Sequence, residues 1–336
     1  MKKYFNLVIC TLVAAVCALG FTACTKTGNK ESVKLVAISG EQVGVMDGVD
    51  YYVVAEPAAS AKVNAIGSLK FVGDLQQLYG GGNGYPQAII VAKNELADTS
   101  FIGLFMDAVG RNREWLLNEN TSSERIVNAV NEYLTDGMSP VFTAKNLTKD
   151  VIRNCGINLT YASEDASEIQ EFMDKLNSVS DIPFGTPNVE FFHGGNYGTA
   201  EYSGKVSVYV PNGAPALGIA NLLAGEEPLP CEVDYEVVDA SLIQTYVTGN
   251  SPKADICVLP VNLAVKLLGG GGKYKLLGTL THGNLYMVSD NAAEITIGNF
   301  DLLKGKTVGV VNLSAVPGLT FKLLLKNNGI EYEEIV

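Results

Sequence analysis

The sequence predicts an α/β protein of two lobes, each a mostly parallel β-sheet with flanking helices. Three observations carry this. At 336 residues the chain is long for one core and sufficient for two. Apolar runs that end in a Gly/Pro/Asn turn and pass into helical periodicity recur along it, as βα units do. Two kinds of such unit each occur twice. With 47% hydrophobic and 18% charged residues the chain packs rather than remaining disordered. Its net charge of −12 repels phosphate backbones, and the four Arg (111, 113, 125, 153) form no basic stripe, which excludes nucleic acid as a partner.

Residues 1–23 read as a targeting segment: Lys2 and Lys3 precede an apolar run over 4–21. Phe21-Thr22-Ala23-Cys24 resembles a bacterial lipobox, with Phe21 where Leu is usual. Cys24 is then expected to carry lipid (palmitate among its chains) and to become the mature N-terminus, outside the cell membrane. A plain membrane anchor, which needs about 20 apolar residues, or an ordinary secretory signal is the alternative. Residues 24–32 have the polar composition of a tether. Cys155, Cys231 and Cys257 remain; they lack CxxC spacing and a nearby His, and read as buried small hydrophobes.

In chain order, VDYYVVAEPAASA (49–61) is the first repeated unit, and ADICVLPVNLAVK (254–266) is its counterpart. Residues 99–177 read as helical, with FIGLFMDAV (101–109), RIVNAVNEYL (125–134) and IQEFMDKL (169–176) each placing apolar residues three and four apart. HGGNYGTAEYSGK (193–205) has linker composition. VSVYVPNGAPALGIANLLA (206–224) and TVGVVNLSAVPGLTFKLLL (307–325) are the second repeated pair. The glycine runs at 80–84 and 269–272 read as surface turns, since neither has the Lys-Ser/Thr ending of a phosphate-cradling loop.

One duplicated half shows both kinds of unit in sequence. The other half would be complete only if residue 336 were joined to about residue 33, so the chain reads as circularly permuted. On that basis TVGVV (307–311), VKLVAI (33–38) and DYYVVA (50–55) are expected to be neighbours in one sheet, with Val336 near the start of the strand at 33.

The stretches PNGAPALGIANLLAGE, ADICVLPVNLAVKL, LLGTLTHGNLYMVSD and LLKGKTVGVVNLSAVPGLTFKLLLKNNGI resemble the N-terminal half of an ABC-transporter solute-binding protein. The branch is the one handling nitrate, alkanesulfonates and thiamine-pyrimidine precursors. VDYYVVAEPAASA and DLQQLYGGGNGYPQAIIVAK resemble its continuation, here placed at the front. The resemblance implies a type II periplasmic-binding-protein-like fold: two lobes, two hinge crossings, and closure on a ligand. One lobe would be 33–78 with 299–336 and the other 79–298, with 193–205 joining the family's usual ends. The crossings would fall near 75–85 and 288–300.

Ligands of open α/β sheets bind beyond the carboxyl ends of the strands. Those ends nominate Asn212, Gly213, Ala214, Asn262, His282, Asn284, Tyr286, Ser314, Ala315, Ser39 and Glu56 as ligand-binding residues. None of these stretches holds Arg or Lys, which disfavours a carboxylate gripped by a guanidinium fork. A sulfonate- or nitrate-like anion on amide N–H groups fits, as does a polar heterocycle stacked on Tyr286 or Tyr85. Glu56 either accepts a ligand N–H or bonds local backbone. With only His193 and His282, and no paired nucleophile, no catalytic constellation emerges, and neither metal nor cofactor is expected. The expected partners are a small solute, a membrane permease of the ABC type, and the membrane itself through Cys24. A ligand-sensing or partner-binding lipoprotein of the same fold is the alternative, and an enzyme the third.

Overall fold

The structure is a computed structural model that describes residues 31–80, 84–290 and 293–335. The targeting segment, Cys24, the tether up to residue 30, and Val336 lie outside the described residues.

The described chain forms two mixed sheets with flanking helices. In chain order the strands are β1 (Val33–Ile38), β2 (Tyr51–Ala55), β3 (Lys70–Asp74), β4 (Pro86–Lys93), β5 (Ile157–Tyr161) and β6 (Val206–Pro211). They continue as β7 (Val233–Val238), β8 (Ile256–Pro260), β9 (Tyr274–His282), β10 (Leu285–Ser289), β11 (Thr307–Val311) and β12 (Tyr332–Ile335). The first sheet runs β12-β1-β11-β2-β10-β3, the second β5-β9-β4-β8-β6-β7.

The two sheets repeat one plan. In the second, β7, β6, β8 and β9 run the same way, and β4 enters antiparallel between β8 and β9. In the first, β1, β11, β2 and β3 run the same way, and β10 enters antiparallel between β2 and β3. The repeated sequence units fall on equivalent places. β2 and β8 are each buried along their length and lead through a Pro into the helices Ala58–Ala65 and Val261–Leu268. Burial on both faces explains why these strands read as unbroken β-branched and aromatic runs. The expected neighbours are neighbours: β1 pairs with β11 and β11 with β2, all parallel.

Two expectations need correction. LYMVS, expected within the unit 79–298, is β10 of the first sheet, so the chain passes between sheets at Gly283–Asn284 and not near 288–300. The stretch 99–177 is not wholly helical: INLTY forms β5 between the helices Lys149–Asn154 and Ala162–Asn177, its alternation being too short to stand out. The expected placement of Val336 near the start of β1 falls on a residue outside the described ones. β12 runs parallel alongside β1, Tyr332 opposite Val33 and Ile335 opposite Val36. The stretch 193–205 carries no helix or strand and is mostly exposed, but it is held at several points. His193 is buried and stacks on Tyr197 with ring centres 4.7 Å apart. Ser100 N donates to Ala200 O at 3.0 Å, and a Cβ on Gly198 would stand 2.1 Å from the Asp98 carbonyl oxygen.

A continuous apolar core joins the two sheets. The helix Leu75–Tyr79 supplies Leu75 and Leu78, and the helix Ala162–Asn177 supplies Phe172 and Met173. Tyr85, fully buried, stacks on Phe172 at 5.3 Å and meets Tyr79 edge-on at 5.4 Å. Each such ring contributes roughly 1.5–3 kcal/mol by leaving water.

Candidate functional site

Three chain segments meet where the chain crosses between the sheets. β3 ends in Asp74, whose Oδ1 accepts from Gln76 N at 2.9 Å and Gln77 N at 3.1 Å and so caps the helix that follows. β9 ends in His282, and Gly283 and Asn284 carry the chain to β10. The turn Asn154–Gly156 opens β5, and Gly156 O accepts from His282 N at 2.8 Å. Between them lies a cleft of about 370 Å³, within the range of small-ligand sites. Asp74, Gln76, Arg113, Arg153, His282 and Tyr286 are among the residues that line it.

Its floor is a polar network. Tyr286 donates its hydroxyl to Asn154 O at 3.3 Å. Asn154 Nδ2 donates at 3.3 Å to the Glu56 carboxylate, which also accepts from Ser60 N at 3.0 Å and Ser60 Oγ at 2.6 Å. Asn284 Nδ2 donates to Glu56 O at 3.3 Å, and Asn284 Oδ1 accepts from Gln87 Nε2 at 2.7 Å. Gln76 Oε1 accepts from Leu285 N at 2.8 Å and Tyr85 OH at 3.3 Å. The Glu56 carboxylate thus bonds the first turn of the helix Ala58–Ala65 and ties it to Asn154.

His282 is buried, and its Nε2 lies 3.2 Å from Thr160 Oγ1. Nδ1 is buried on the side of the Asn158 backbone. Burial lowers the ring's pKa, against the opposing pulls of Asp165 and of the Asn158 backbone's hydrogen bond to the ring, so the ring is neutral near pH 7. Asp165 is itself buried and accepts the Thr279 hydroxyl proton. Burial raises the Tyr286 phenol, with Asp74 and Glu56 adding to it.

Of the nominated residues, His282 and Tyr286 line the cleft, and Glu56 and Asn284 form the network beneath it. The others do not line it. Asn212 borders a separate cavity of about 420 Å³ with Ser139 and Asp239, and its Nδ2 donates to Ser139 O at 3.3 Å. Gly213 (φ 116°) and Ala214 begin the short helix Ala214–Leu217. Asn262 is buried at the start of the helix Val261–Leu268. Exposed Ser39 donates its N–H to Gln42 Oε1 at 2.8 Å, and Ser314 and Ala315 lie in the turn after β11. Tyr85 is sealed into the core, so no ligand ring can stack on it.

Sequence reasoning missed Arg113, Arg153 and Asp74. Arg113 is an exposed residue on the flank of the apolar stripe of the helix Ser100–Leu117, and Arg153 stands in the last turn of the helix Lys149–Asn154. Neither is in a strand-end loop. The available signal was Gly156, whose φ of 65° marks a sharp turn immediately after Arg153 and Asn154. Their presence removes the ground on which a carboxylate ligand was disfavoured. Among the described residues no group of three or more His, Cys, Asp or Glu side chains is placed to hold a metal ion. No helix among them is long and apolar enough to cross a membrane.

No protein-family model, curated protein or solved structure matches the chain.

Proposed function

We propose that this chain is the lipid-anchored solute-binding component of an ABC importer, with a circularly permuted type II periplasmic-binding-protein fold. The observation that carries the reading is the repeated sheet plan, in which each sheet takes one antiparallel strand from the chain as it leaves the other. Two sheets linked in this way enclose a cleft at the crossings and can change its width by small rotations there. The cleft at Asp74, Gly156 and Gly283 lies beside those crossings, which supports reading them as a hinge. The solute is trapped between the walls and handed to a membrane permease, while Cys24, outside the described residues, holds the protein at the membrane by its lipid.

A thermal-shift screen against small organic and inorganic solutes tests the reading, because a ligand that binds only the native state raises its melting temperature. The expected result is a shift by one chemical class, accompanied by a smaller radius of gyration in X-ray scattering. Solutes that shift the melting temperature without any change of shape overturn the trapping mechanism.

A further inference from the structure

The two walls of the cleft carry opposite charge. Arg113 and Arg153 come from helices that pack on one another beside β5, on the second sheet's side. Asp74 ends β3 of the first sheet, on the other side. Arg113 has no ion pair or hydrogen bond among the described residues. Arg153 Nη1 pairs with Asp150 Oδ1 at 2.6 Å, but that Asp side chain is 86% exposed, so the pair is weak and most of the guanidinium's donors are left over. Asp74 spends Oδ1 on Gln76 N, Gln77 N and Gln76 Nε2, and Oδ2 has no partner among the described residues.

We infer that the cleft takes a small zwitterion of the α-amino-acid type, its carboxylate on Arg113 and Arg153 and its ammonium on Asp74 Oδ2. This rests on the solute-binding reading and narrows its ligand. A neutral heterocycle would leave two guanidiniums and a carboxylate to lose water on closure without compensation. A simple inorganic anion would satisfy the arginines and leave Asp74 opposed to it. A molecule with both charges satisfies both walls, and planar carboxylate geometry suits a guanidinium fork. The volume of about 370 Å³ admits an amino acid with a modest side chain.

The test is isothermal titration of the full chain in detergent with matched probes: the common L-amino acids, the carboxylic acid lacking the amino group of each, nitrate, and cytosine. The expected result is binding of at least one amino acid, with at least tenfold weaker binding of its matching acid. Asp74→Asn, which keeps an oxygen to cap the helix, is expected to erase that preference. Arg113→Gln and Arg153→Gln are expected to weaken amino acid and acid alike by tenfold or more. Equal binding of acid and amino acid by the unaltered protein, or an undiminished preference in Asp74→Asn, overturns the inference. So does binding of nitrate or cytosine with no amino acid bound, which leaves the solute-binding reading standing. Failure of every probe also overturns it.

Discussion

Substituting Ala for Gly156 measures how tightly the wall of the cleft is keyed to the crossing between sheets. The perturbation has two parts. Gly156 has φ 65°, a region that costs an L-residue roughly 1–2 kcal/mol. Its added Cβ would also stand 1.9 Å from the Gly283 carbonyl oxygen and 2.9 Å from that of His282. A relaxed C···O contact is about 3.3 Å or more, so backbone must move by over an ångström. That movement strains the His282 N–H bond to Gly156 O, worth about 1 kcal/mol. Together the terms come to about 2–3 kcal/mol. With an unfolding entropy of roughly 2.1 cal/mol/K per residue over the ordered chain, calorimetry should record a melting temperature lower by about 3–5 °C. Gly48→Ala is the control: φ is 75° there, but nothing lies within 4 Å of the added carbon, so only the conformational part applies. If Gly156→Ala costs no more than Gly48→Ala, the crossing is not keyed to that turn and the reasoning fails.

Three further outcomes are expected. Glu56→Ala strips Ser60 N, Ser60 Oγ and Asn154 Nδ2 of their acceptor, and urea unfolding should show a loss of about 1–3 kcal/mol; a loss under 0.5 kcal/mol, or about that, contradicts the capping role. His282 and His193 both have lowered pKa values because burial disfavours their charged forms. Above the ordinary value near 6.5 both states are neutral. As pH falls through it the unfolded chain takes up protons first and stability drops, by up to about 1.4 kcal/mol per pH unit for each ring. His282→Gln should flatten the decline in urea midpoint between pH 7 and 5.5, roughly the window in which an unfolded histidine titrates; an unchanged slope argues against a buried neutral ring. Cys24→Ser should leave the precursor uncleaved and unlipidated, and mass spectrometry of the unaltered protein showing residue 24 without lipid ends the lipoprotein proposal.

The sheet plan was legible wherever one residue pattern admits one environment. YYVVA and ICVLP, apolar at every position, can only be strands covered on both faces, and their common passage through Pro into a helix placed β2 and β8 in equivalent positions. LYMVS has the same character, and nothing in it says which sheet it joins; that depends on where the chain crosses, which long-range pairing with β2 and β3 decides. Half of the site was hidden for a related reason. His282, Asn284 and Tyr286 sit at strand ends, where position alone nominates them. Arg113 and Arg153 reach the cleft from helix surfaces, and whether an exposed Arg faces solvent or a site is settled by tertiary packing. In the stretch 193–205 the composition is that of a linker, and the one close backbone approach, Gly198 against Asp98, has no signal beyond a glycine.

The strand order has a consequence for how the chain is made. None of β1 to β5 is hydrogen-bonded to another of the five; their partners are all drawn from β8 to β12. A nascent chain leaving the ribosome therefore carries VKLVAI, YYVVA and PQAIIVAK with no native partner until ICVLP and later strands emerge. Lys34 waits for Thr307. Such high contact order makes folding slow and leaves apolar edges open to aggregation during synthesis. The protein cannot assemble from its front end: either sheet closes only after most of the sequence has been translated, and a product truncated before residue 256 would present five bare strands to the cell's chaperones and proteases.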